Sequence, residues 1–159
     1  MLKYNGYEIV LQEIPDEITL AFNICNCPHH CEGCHSDYLW GDSPTILKDD
    51  VMDIIRNHLD EISCVCFMGG DQELKELIDI SVDIKYQFLG LKVGIYSGAD
   101  KLPPLAYQIF DYVKVGHYDQ NLGGLISRTT NQRMYRNTIK TEDITWRFCP
   151  NANPNLECL

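Results

Sequence analysis

Short apolar runs alternate with amphipathic stretches along most of this chain, and that alternation restricts its fold more than any other feature. EITLAFNI (17–24) alternates and carries β-branched residues, and EIVLQEI (8–14) before it does the same, so two strands are predicted, joined at PDE. SCVCFMGG (63–70) and LKVGIYSG (91–98) are apolar strands that end in glycine; YVKVGHY (112–118) and DITWRFC (143–149) read as two more. Between them Val51, Ile54, Ile55, Leu59 and Ile62 recur at helical spacing, which predicts a helix over 47–61. Leu74, Leu77, Ile78 and Val82 predict a second helix opening after Asp71, whose carboxylate would cap it. PPLAYQIFD predicts a short third. Strands separated by helices in this way imply βα units and a mostly parallel α/β sheet, and without a visible linker or repeat one domain is expected over 1–159. In such sheets ligands bind at the carboxyl ends of the strands. Three segments fall there: the loop after Ile24, MGGD after the next strand, and YSG after the third.

The first of these is NICNCPHHCEGCH, four cysteines and three histidines from Asn23 to His35. Pro28 and Gly33 make it a loop. Cys27, Cys31 and Cys34 give C-x3-C-x2-C, and three thiolates on one short loop can hold three irons of a four-iron cubane, leaving the fourth iron open. A structural zinc site wants four ligands, usually as two separated pairs. No second C-x2-C pair is present, yet Cys25, His29, His30 or His35 could complete a zinc site, so spacing alone leaves iron–sulfur and zinc both standing. Cys64 and Cys66 lie in an apolar strand and read as core thiols. Cys149 and Cys158, near the C-terminus, are idle, redox-active or a weak second metal site.

The net charge of −10 argues against nucleic acid or an anionic membrane as partner and favours a protein or small molecule. The first residues carry neither an apolar h-region nor a small-residue cleavage site, and no apolar run approaches the ~18–20 residues of a membrane span, so a cytoplasmic protein is expected. In that compartment thiols stay reduced, and eight cysteines read as metal-binding or catalytic.

A C-x3-C-x2-C loop after one core strand, with a glycine pair after the next, resembles the radical S-adenosylmethionine superfamily. The resemblance narrows to the activating proteins of anaerobic ribonucleoside-triphosphate reductase. CPHHCEGCH is similar to that family's cysteine segment, FMGGD to its glycine motif, VKVGHYDQNL to its late strand and loop, and RTTNQRMY to its terminal motif. Together these cover about residues 5–149. The chain differs from the family in having Cys25 near the first ligand, Asp71 where many relatives have glutamate, Gln72-Glu73 for Pro-Leu, and Thr130 for serine. The resemblance implies an abbreviated partial (βα) barrel and a [4Fe-4S] cluster on Cys27, Cys31 and Cys34. It implies S-adenosylmethionine against Gly33, Cys34, His35, Gly69, Gly70 and Asp71; Ser97 either hydrogen-bonds the ribose or is a surface serine in a turn. It also implies a protein substrate, the reductase, met by Arg128, Asn131, Gln132 and Arg133, and a one-electron donor such as flavodoxin. His29 and His30 tune the cluster or are solvated; Tyr38 and Trp40 shield it; His117 and Tyr118 line the pocket or pack. Two other readings are an activase of a different glycyl-radical enzyme and a zinc-binding interaction module.

Overall fold

TLAFNI, the run leading into the cysteine loop, is buried throughout except for Asn23, and it forms strand β2 (Thr19–Ile24). In the computed structural model, which describes residues 1–149, β2 lies second in a seven-stranded sheet whose strands keep to chain order. The others are β1 (Tyr4–Val10), β3 (Cys64–Met68), β4 (Lys92–Tyr96), β5 (Tyr112–Val115), β6 (Arg133–Asn137) and β7 (Thr141–Asp143). Three α-helices connect the middle strands: α1 (Leu47–His58), α2 (Leu74–Gln87) and α3 (Pro104–Ile109).

The periodicity of each segment decides where its side chains go. Val65 and Phe67 of β3 face the helices with Phe22, Val93, Ile95 and Val113, and there they meet Val51, Ile55, Leu77, Ile80 and Ile84. Cys64 and Cys66 alternate to the opposite face, in a smaller cluster with Ile14, Tyr112, Met134 and Ile144. Burial raises both thiols' pKa well above the ordinary cysteine range, so they are packing groups. α1 buries Val51 and Ile55 as its spacing predicts, and Leu47 with them, but it ends at His58 and leaves Leu59 exposed; Val82 of α2 also points outward.

The expected fold class needs correction. β2, β3, β4 and β5 pair in parallel, but β1–β2, β5–β6 and β6–β7 are antiparallel. The result is one mixed sheet with three helices, not a mostly parallel partial barrel of the radical S-adenosylmethionine type. The reason lies beyond β5. A parallel connection needs a crossover, usually a helix, and residues 116–132 have no helical periodicity and three glycines. They form no helix, and the chain returns antiparallel as β6. The predicted last strand over 143–149 is instead a short 3-10 turn, Thr145–Phe148. No helix among the described residues is long and apolar enough to cross a membrane.

At the amino ends of the parallel strands one carboxylate joins several elements. Glu17, 6% exposed, accepts hydrogen bonds from Ser63 Oγ (2.7 Å), Tyr112 Oη (2.8 Å) and Lys92 Nζ. Burial pushes its pKa up, but these three donors outweigh that and hold it below the usual glutamate value of 4.5. A depressed folded pKa means the stabilisation is complete above the unfolded value and is lost as pH falls through the folded one. Glu17→Gln should therefore cost about 1–3 kcal/mol at pH 7. Urea melts at pH 7 and in the acid limb below 4.5 should show the gap from wild type narrowing as pH falls.

Candidate functional site

Parallel pairing brings four strand ends to one edge of the sheet. Asn23 pairs with Met68, Met68 with Tyr96, and Tyr96 with Lys114, so these residues form a row across β2, β3, β4 and β5. The segments leaving the strand ends are therefore assembled side by side: the cysteine loop after β2, Gly69-Gly70-Asp71 after β3, and Ser97-Gly98 after β4. Hydrogen bonds from Gly69 N to Tyr96 O and from Ser97 N to Lys114 O, both 2.8 Å, extend the ladder past the strand ends.

The cysteine loop is wound by left-handed residues: Asn26 at φ 59°, His30 at φ 45° and Gly33 at φ 74°. It is anchored by Cys27 N to Leu39 O (3.1 Å) and by stacking of His30 on Trp40 at 4.7 Å. Tyr38 is exposed. Cys27, Cys31 and Cys34 are half-buried, Cys25 is buried, and His35 is exposed. Burial raises the Cys27 pKa, opposed by backbone N–H groups of His29 and His30 that point at its sulfur. A β-carbon on Gly33 would come within 3.1 Å of Gln120 Oε1, so the loop after β5 lies directly against it.

The turn after β3 depends on two glycines. Gly69 and Gly70 have φ of 113° and 105°, values that side-chain-bearing residues rarely adopt. A β-carbon on Gly70 would also meet Leu77 Cδ2 at 2.9 Å. Gln72 Nε2 donates to Cys25 O at 2.8 Å, tying this turn to the end of β2.

Asp71 does not cap α2. That helix starts at Leu74, behind a 3-10 turn, with no side-chain cap. One oxygen of the carboxylate, Oδ2, instead accepts from His29 Nε2 (2.7 Å), Ser97 Oγ (2.5 Å) and Ala99 N (3.2 Å). Burial pushes the Asp71 pKa up, but the Ser97 and His29 hydrogen bonds overcome this and leave it below the usual aspartate value. His29 is thus not a solvated loop residue. It reaches from the cysteine loop to the β3 turn, its ring lying on Gly98, where a β-carbon would sit 2.4 Å from Cδ2. Ser97 is buried and joins the same carboxylate.

Below this network stands Lys114, a residue that the motif analysis did not single out. It is 8% exposed, and its ammonium donates to Gly116 O (2.7 Å) and Ser97 O (3.5 Å). Burial lowers its pKa to about 8, opposed by the charges of Cys31, Cys34, Asp71 and Cys27. A lone lysine in an apolar strand looks like a solvent-facing position. Its signal was that a parallel central strand is covered on both faces.

A cavity of about 700 Å³ opens over this edge, bordered by His29, Cys31, Ala99, Asp100, His117 and Tyr118. That lies within the range of small-molecule sites. Of the residues expected to face a reductase, only Arg128 is exposed. Gln132 is buried, with Nε2 near Gly116 O and His117 O (3.4 and 3.5 Å); Asn131 Nδ2 donates to His117 O, and Arg133 to Thr130 O, both at 3.0 Å. They brace the turn after β5. Cys149 is buried, its thiol near Leu125 O and Ser127 O, while Cys158 lies outside the described residues.

Among the described residues no three cysteine, histidine or acidic side chains converge as a ready metal site. The chemistry nevertheless fits a thiolate-bound cluster: three half-buried thiols on one loop, two N–H groups on the first sulfur, and a buried ammonium beneath. Metal binding would supply the convergence, because ligand organisation and binding are coupled. The chain matches no protein-family model, no curated protein and no solved structure.

Proposed function

We propose that this chain is a cytoplasmic activating enzyme that uses a [4Fe-4S] cluster and S-adenosylmethionine to install a glycyl radical on an anaerobic ribonucleoside-triphosphate reductase. The observation that carries the reading is the sheet edge where the C-x3-C-x2-C loop, the left-handed glycine pair with Asp71, and Ser97 meet above a buried lysine. Cys27, Cys31 and Cys34 would hold the cluster. Bound there, the cluster would supply one-electron reductive cleavage of the S-adenosylmethionine sulfonium, with a donor such as flavodoxin as the electron source and a glycine Cα–H of the reductase as the hydrogen source. Gly69 and Gly70 would let backbone approach the methionine moiety. Asp71, fixed through Oδ2 by His29, Ser97 and Ala99, would offer its carboxylate to the amino group. The cavity over the edge would admit the adenosyl group, and its open side a loop of the protein substrate.

Anaerobic reconstitution with iron and sulfide tests this. Wild type should take up about four irons and four sulfides, give a paramagnetic signal on reduction that changes with S-adenosylmethionine, and release 5′-deoxyadenosine. Cys31→Ala should lose all three. Tight zinc with no iron–sulfide would instead make the loop a structural zinc site and end the radical reading.

A further inference from the structure

Lys114 is a buried charge in search of a counter-ion. Among the described residues no carboxylate pairs with its ammonium, which is held by two carbonyl oxygens, those of Gly116 and Ser97. Leaving an ammonium buried without a partner costs several kcal/mol unless opposite charge lies nearby. Asp71 lies near but is not bonded to the ammonium among the described residues, its Oδ2 accepting instead from His29, Ser97 and Ala99. The cysteine loop reaches the same place: its His29 is bonded to Asp71, Asp71 to Ser97, whose carbonyl holds the ammonium, and Gly33 packs against Gln120 on the loop after β5, so thiolates formed there by metal binding would lie close to the lysine. The register agrees: Lys114 stands in the row of strand ends from which the cysteine loop springs, opposite Tyr96 and two strands from Met68.

We propose that Lys114 is the fixed countercharge of the metal-loaded cysteine loop, a positioning residue that stabilises the anionic loop and makes the group it holds easier to reduce. This rests on the proposed iron–sulfur function, which notes the buried lysine but assigns it no role. Three thiolates on a four-iron core carry net negative charge, which grows by one on reduction. A nearby cation stabilises the reduced form more than the oxidised one. Lysine, with no carboxylate holding it, is free to respond to charge on the loop.

The test compares wild type with Lys114→Met and Lys114→Gln, the second keeping a donor for Gly116 O without the charge, and with the exposed control Lys75→Met. In the metal-free protein Lys114→Gln should melt no lower than wild type, since a neutral group replaces an unpaired ion. After reconstitution the order should reverse, wild type gaining more from the metal. At a fixed potential the reduced-to-oxidised ratio should fall about tenfold in both Lys114 variants, about 59 mV for one electron, and stay unchanged in Lys75→Met. Equal destabilisation with and without metal, or an unchanged potential, would make Lys114 a plain structural lysine and overturn the proposal while iron–sulfide binding stood. Should wild type hold zinc instead, the radical reading falls, and the metal-dependent reversal measured with zinc still decides the countercharge. A wild type that holds no metal overturns both.

Discussion

Asp71→Ala is expected to destabilise the metal-free protein by about 2–4 kcal/mol, a large part of the 5–15 kcal/mol that holds a domain folded. Three donors converge on one carboxylate oxygen: His29 Nε2, Ser97 Oγ and Ala99 N. Ser97 is fully buried, and the Asp71 side chain is 7% exposed. Alanine would leave the buried Ser97 hydroxyl, and the His29 and Ala99 N–H groups beside it, without that acceptor. The figure is held below that of a wholly buried pair because His29 is a quarter exposed. Denaturant melts at neutral pH measure it as a fall in midpoint with unchanged slope. The pH dependence supplies a second check. Asp71's folded pKa lies below the ordinary 3.8, so its stabilisation is complete above the unfolded value and lost as pH falls through the folded one. The difference between Asp71→Ala and wild type should be flat near neutrality and shrink below about pH 4. A loss under about 0.5 kcal/mol, the range of a surface change, would mean that the carboxylate does not hold these elements together.

The same carboxylate shows what was legible in the sequence and what was not. An aspartate three residues before an apolar helical run reads as a cap, because capping is a local rule and the sequence displays local rules. Here a long-range pairing overrides it: His29 lies forty-two positions away and Ser97 twenty-six. The glycine pair and the cysteine loop were legible for the opposite reason, since glycine, proline and cysteine impose their geometry or chemistry on the spot. Parallel pairing in the middle of the sheet came out of the alternation with helices, but the antiparallel edges did not. Nothing in RMYRN announces that β6 turns back on β5, and its partly buried residues alternate weakly. Asn131 and Gln132 were expected to meet a reductase, and they serve as braces because the turn at Gly116 and His117 leaves carbonyl oxygens for them to satisfy.

Gly98→Ala isolates the site from the fold. Its β-carbon would lie 2.4 Å from His29 Cδ2 and 2.7 Å from Cγ, so the imidazole has to leave. Gly98 itself has no left-handed φ, so alanine brings no backbone strain. What moves is the end of a side chain on a half-exposed loop, and the fold should lose less than about 1 kcal/mol. The His29–Asp71 hydrogen bond should be lost entirely, freeing the cysteine loop from the turn after β3. The expected result is a protein that melts nearly like wild type, while the His29 ring resonances move to those of a solvent-exposed imidazole. A double-mutant cycle sharpens this. With Asp71 intact, Gly98→Ala removes the bond; with Asp71 already alanine there is no bond to remove, so the two changes should cost less together than the sum of each alone. Additive costs, or an unmoved His29 resonance, would mean that the ring's seat on Gly98 and its grip on Asp71 are independent. On the proposed function the same variant should also bind S-adenosylmethionine at least tenfold more weakly when loaded with iron and sulfide, since the carboxylate that meets the amino group would have lost the donor that orients it.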